Sequence, residues 1–125
     1  MTAAVEVTLR LWPVPAACRD ARRLVGRFCA DHEMEAVADD AVLLTSELVA
    51  NAVEHAASMV TLLALLLDGS LVVAVRDDCD ELPETVMPVL SYAERGRGLH
   101  VLDELAGDWG VNRQSHGKTV WFRLP

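Results

Sequence analysis

Two runs of β-prone apolar residues, Val60 to Leu67 and Leu71 to Val75, stand either side of Asp68-Gly69-Ser70. An Asp-Gly step between such runs favours a tight turn with positive φ at its centre, so the segment predicts an antiparallel hairpin. Both runs are nearly unbroken in apolar residues, as expected of strands inside a sheet. Val5, Val7, Leu9 and Leu11 alternate with Glu6, Thr8 and Arg10 and stop at Trp12-Pro13, which predicts a half-buried first strand. Trp109 to Arg113 and Lys118 to Leu124 flank Ser115-His116-Gly117 and predict a closing hairpin.

Between the first strand and the first hairpin the period changes. From Ala16 to about His32, Ala17, Ala21, Leu24, Val25 and Phe28 recur at helical spacing, with Arg19, Asp20, Arg22, Arg23 and Arg27 on the polar side. A second helix is predicted from near Ala38 to about Ala57, with Val42, Leu43, Leu48, Val49, Ala52 and Val53 as its apolar stripe and Asp39 and Asp40 at its N-terminus. Periodicity is lost from Asp77 to Arg97, around Pro83 and Pro88, and a third helix is expected over Gly98 to Leu105. Tight hairpins pair antiparallel, and helices gathered between them cover one face of the sheet. The fold class is therefore α+β: a two-layer α/β sandwich whose mostly antiparallel, mixed sheet carries about three helices.

Composition narrows the function classes. The chain has 125 residues, 52% of them hydrophobic, which suits one domain over 1–125 with a real core. Its 11 basic and 19 acidic residues leave a net charge of −8, the wrong sign for general attraction to nucleic acid or anionic membrane. Cys18, Cys29 and Cys79 are odd in number and form no C-x-x-C pair, so neither a disulfide framework nor a thiolate zinc site is indicated. The longest apolar stretch, Met59 to Leu67, is far short of the roughly 20 residues of a membrane helix. With no signal-peptide pattern at the start, a cytoplasmic protein is expected.

Three places carry residues suited to chemistry. Glu47 and Asn51 lie four apart on the second helix, about 40° apart in projection and roughly 6 Å apart along its axis. A carboxylate beside an amide carbonyl suits Mg²⁺, which takes oxygen ligands and shares its shell with water and phosphates; the same pair also suits a solvated helix face. Asp77 follows a buried apolar run, where it either accepts a hydrogen bond from an amino group in a pocket or caps the loop. Arg95-Gly96-Arg97-Gly98-Leu99 ends the long loop and opens a helix, so its glycines allow backbone N–H groups to approach an anion. Trp12, Trp109 and Trp121 read as strand residues that pack in the core or against a partner.

Taken in order, Glu47-x-x-x-Asn51-Ala52-x-x-His55, Asp77 at a strand end, Gly96-x-Gly98-Leu99 and Gly117-Lys118-Thr119-Val120 before a last strand resemble the GHKL ATP-binding superfamily. Its members include gyrase, heat-shock chaperone and histidine-kinase ATPase domains. The phrase from Leu44 to Val53 and the ending from Gly117 to Leu124 look most like the bacterial anti-sigma-factor serine/threonine kinases. That resemblance implies the GHKL (Bergerat) fold, ATP and Mg²⁺ as cofactors, and an ATP lid over about 78–97. It would make Asn51 the Mg²⁺ ligand and Glu47 the general base or a water-orienting carboxylate. Asp77 would take the adenine amino group with Thr119 assisting at the same edge, while Arg95, Gly96, Arg97, Gly98 and Leu99 would line the triphosphate. The segment after Asp77 departs from the family, with Asp78, Cys79, Asp80 and Glu81 where glycines are usual. An anti-anti-sigma antagonist as phosphorylation substrate, a sigma factor as second partner, and a homodimer are the implied partners. The alternative is a nucleotide-gated protein-binding module without phosphotransfer, separated from the kinase by whether phosphate reaches a partner.

Overall fold

The computed structural model describes residues 5–55, 59–78, 105–113 and 117–125. In chain order the elements are β1 (Val5–Leu11), α1 (Ala16–Asp31), α2 (Glu35–His55), β2 (Val60–Leu67), β3 (Ser70–Asp77), β4 (Asp108–Arg113) and β5 (Lys118–Leu124). The five strands form one sheet in the order β1-β2-β3-β5-β4, with every pairing antiparallel. The fold is α+β, as expected, although the described sheet contains none of the parallel pairing a mixed sheet would need. The third helix expected over Gly98 to Leu105 falls outside the described residues except for Leu105.

The β2–β3 hairpin closes through Asp68 and Gly69 at φ 49° and 81°, with Leu67 paired to Ser70. Positive φ at both central residues defines the I′ turn, whose twist matches that of the flanking strands. β3 therefore starts one residue earlier than the hydrophobic run and ends two later, at Asp77. Across the sheet Leu11, Val60, Leu62, Val73, Val75, Phe122 and Leu124 share one face and are buried beneath the helices. The opposite face carries Leu63, Leu65, Val72, Ala74 and Trp121, all half-buried. There Trp121 lies across Gly110 on β4, where an added Cβ would come within 2.9 Å of the indole. Trp109 packs against the core from the inner face, whereas Trp12 sits beyond β1 and is 71% exposed, so it is not a strand residue.

α1 buries Ala17, Ala21, Val25, Phe28 and Cys29, the stripe its spacing predicts with Cys29 in place of Leu24. α2 begins at Glu35, three residues ahead of the sequence expectation, so Asp39 and Asp40 lie inside the helix and Glu35 is the first-turn acid. The reason is a compact corner. Glu33 takes φ 57°, Met34 N–H donates to Cys29 C=O at 2.8 Å, and His32 N–H donates to Phe28 C=O at 3.1 Å. This is a Schellman ending with glutamate where glycine is usual, and it leaves one residue before the next helix starts. The buried stripe of α2 is Ala41, Leu44, Thr45, Leu48, Val49 and Ala52, rotated from the predicted one so that Leu43 faces outward. Among the described residues no helix is long and apolar enough to cross a membrane.

The left-handed conformation at Glu33 costs a residue with a Cβ about 1–2 kcal/mol relative to glycine, part of which is returned by the greater unfolded-state freedom of glycine. Glu33→Gly should therefore raise stability by roughly 0.5–1 kcal/mol, read as a higher urea midpoint with an unchanged slope.

Candidate nucleotide site

Asp77 ends the central strand β3 and is 2% exposed, a burial that a carboxylate sustains only with charged or hydrogen-bonding partners. Lys118, the first residue of β5, supplies one. Its Nζ donates to Asp77 Oδ2 at 2.6 Å, and its side chain is 24% exposed. The two residues face each other in the β3–β5 register. Gly117 makes the approach possible, with φ 102° and a position where an added Cβ would lie 2.0 Å from the Asp77 carbonyl oxygen. No side chain fits there.

The same register pairs Thr119 with Arg76. Since successive side chains point to opposite faces, Thr119 lies across the sheet from Asp77, not beside it. The structure thus puts Lys118 where Thr119 was expected to assist. Period two counted back from the buried Leu124 and Phe122 through Val120 reaches Lys118, so the face follows once the burial of those two residues is known.

Glu47 and Asn51 are both half-buried on α2, the helix that packs on β3. They share one side of α2, as their spacing requires. α1 adds neighbours that sequence reasoning did not select. Arg22 donates from Nη1 to Ser46 Oγ at 3.2 Å, and the Cys18 thiol lies 3.9 Å from the Ser46 carbonyl. Burial pushes the Cys18 thiol up from its ordinary value; the Arg22 charge opposes this and the Glu47 charge adds to it. Cys18 is therefore a neutral thiol at pH 7, and Arg22 contributes positive charge on the side of α2 where Glu47 lies. His55 is exposed at the end of α2, its Nε2 3.9 Å from Glu54 Oε1, a weak surface pair. Arg95, Gly96, Arg97, Gly98 and Leu99 lie outside the described residues, as does the proposed lid beyond Asp78.

An oxygen pair one helical turn apart, a buried carboxylate at a strand end, and a final strand led in by Gly117 beside it are set on a five-stranded antiparallel sheet. The model of the histidine kinase-like ATPase domain matches residues 11–124. The chain belongs to that family. This ATPase domain also matches solved structures, among them one of the RsbU and RsbW domains of Rv1364c from Mycobacterium tuberculosis, with a TM-score of 0.69 at 22% identity. The match covers 98% of this chain and 32% of that one, so the domain spans about a third of the solved chain. At that identity the likeness is one of fold. No curated protein matches it.

Gly117 and Gly69 both have positive φ, but nothing lies within 4 Å of a Cβ added at Gly69. Gly69→Ala should cost about 1 kcal/mol from backbone strain alone, whereas Gly117→Ala should cost roughly 3 kcal/mol or more because β5 must also move away from Asp77. Paired urea titrations of the two variants test the difference.

Proposed function

We propose that this ATPase domain is an anti-sigma-type serine/threonine kinase: it binds Mg-ATP, phosphorylates an anti-anti-sigma antagonist protein, and thereby controls a sigma factor. The observation that carries the reading is Asp77, a buried carboxylate at the end of the central strand in a chain of this family. An acceptor so placed suits an exocyclic amino group and rejects a carbonyl, which is the choice between adenine and guanine at that position. The RsbW domain in the solved neighbour supports the regulatory side of the proposal.

The donor set on α2 fits the metal. One amide oxygen from Asn51, with the Glu47 carboxylate a turn away, suits a hard cation that keeps several waters and takes other ligands from phosphates. Mg²⁺ held through Asn51 would supply charge neutralisation at the phosphates. Glu47 would accept the proton of the protein hydroxyl as its oxygen bonds to the γ-phosphorus and the bond to ADP breaks. In this reading Arg95 to Leu99 serve the phosphates, and positioning with electrostatics provides most of the rate.

Calorimetry should show that Asp77→Asn largely abolishes ATP binding, because its amide NH₂ faces a donor. Binding as tight as the parent's would remove Asp77 from the base site.

Asn51→Ala should lose Mg²⁺-dependent nucleotide affinity and phosphotransfer together. Glu47→Ala should hold nucleotide affinity within a few fold while losing phosphotransfer by roughly 10²-fold or more. The assay is phosphate incorporation into an anti-anti-sigma protein at saturating ATP. An unchanged rate in Glu47→Ala would show that this carboxylate is not the base, and nucleotide binding with no incorporation by the parent would favour a nucleotide-gated module without phosphotransfer.

A further inference from the structure

Thr119, which the register keeps away from Asp77, belongs to a polar row on the opposite face of the sheet. Arg10 pairs with Thr61, Thr61 with Arg76, Arg76 with Thr119 and Thr119 with Asn112, so the row crosses all five strands on the outer face. Each of these side chains donates hydrogen bonds, and none is acidic. We propose that Arg10, Thr61 and Arg76, with Thr119 beside them, form a phosphate-binding site on this face. It uses none of Asp77, Glu47 or Asn51, so it stands or falls separately from the kinase reading.

Three features carry it. The first is spacing: Arg10 and Arg76 lie two strands apart, about 9–10 Å between backbones, with Thr61 in the middle. Two guanidinium groups leaning over one hydroxyl suit a single tetrahedral anion, since each planar fork offers paired N–H donors to its oxygens. The second is the lack of counter-charge. Arg10 is exposed, and the acid on its own strand, Glu6, is four residues and roughly 13 Å away. Arg76 has Asp78 near it, but its Nε stays 3.8 Å from Asp78 Oδ1, beyond a hydrogen bond, with the two side chains 48% and 43% exposed. Its donors therefore remain available to a ligand. In a chain with a net charge of −8, two arginines set in one row with no acid between them keep a local field that attracts a small anion. The third is the surroundings. Leu63, Ala74 and Trp121 form the next row on that face and are half-buried, so the donors border apolar surface, where a charge-assisted hydrogen bond is less weakened by water.

The test is a ¹⁵N-resolved NMR titration of the full chain with inorganic phosphate, with sodium chloride at matched ionic strength as the reference. Phosphate should shift the amides of Arg10, Thr61, Arg76 and Thr119 saturably, and chloride should not. Arg10→Gln and Arg76→Gln should each weaken phosphate at these amides by about tenfold or more, the scale for losing a hydrogen bond from a charged donor. Both arginines are exposed, so neither change touches the core. Arg123→Gln removes the same charge two rows away on the same face and should leave the titration nearly unchanged. The inference is overturned if the row does not respond, if chloride moves it equally, or if the Arg10 and Arg76 variants titrate as the parent does. Phosphate that moves the Asn51 amide and leaves the row still would overturn it too, while leaving the nucleotide site intact. A peptide with one phosphoserine among neutral residues then separates two sources of the phosphate, and either result supports the site. Binding tighter than inorganic phosphate, and lost in the unphosphorylated peptide, identifies a phosphorylated protein; binding weaker than inorganic phosphate identifies the free anion.

Discussion

The register between β3 and β5 is the constraint on which the core and the candidate site both depend. Side chains alternate across a sheet with period two, so a slip of one residue would exchange the two faces of β5. Phe122 and Leu124, buried opposite Val73 and Leu71, would be turned out and Trp121 turned in. The apolar match therefore selects the register, and the same choice brings Lys118 to Asp77. Gly117 allows the strands to close at that end, because only a residue without Cβ fits against the Asp77 carbonyl. Hydrophobic burial at one end of the strand pair thus positions charged chemistry at the other.

α2 links the two halves of the site in a different way. One side of it, from Ala41 through Leu48 to Ala52, is core, and the half-buried border of that stripe carries Glu47 and Asn51. Because the helix is held by α1 on one side and the sheet on another, these polar groups have a fixed backbone beneath them. The contact between Arg22 and Ser46 comes from the same packing. It also leaves Cys18 as a neutral, partly buried thiol, a packing residue beside the candidate site. For an ATPase domain with a net charge of −8, cationic groups placed locally matter more than the overall balance when the ligand is itself an anion.

The sequence by itself determined the order of the described elements and most of their boundaries. Alternation fixed β1, Asp68-Gly69 fixed the first hairpin, and helical spacing fixed α1, because each depends on short-range geometry that a few neighbouring residues control. It also placed Glu47 and Asn51 together, since four residues on a helix leave little freedom. The ordered set of motifs identified the family. Tertiary structure decided the rest. The start of α2 was set by a left-handed Glu33, which no local preference for glycine announces. The rotation of α2 that turns Leu43 outward came from packing against two layers at once, whereas a stripe read from sequence assumes one. Above all, which residue of Lys118 and Thr119 meets Asp77 was a question about two strands 41 residues apart in sequence. Motif resemblance favoured the threonine, and the requirement to bury Phe122 and Leu124 chose the lysine.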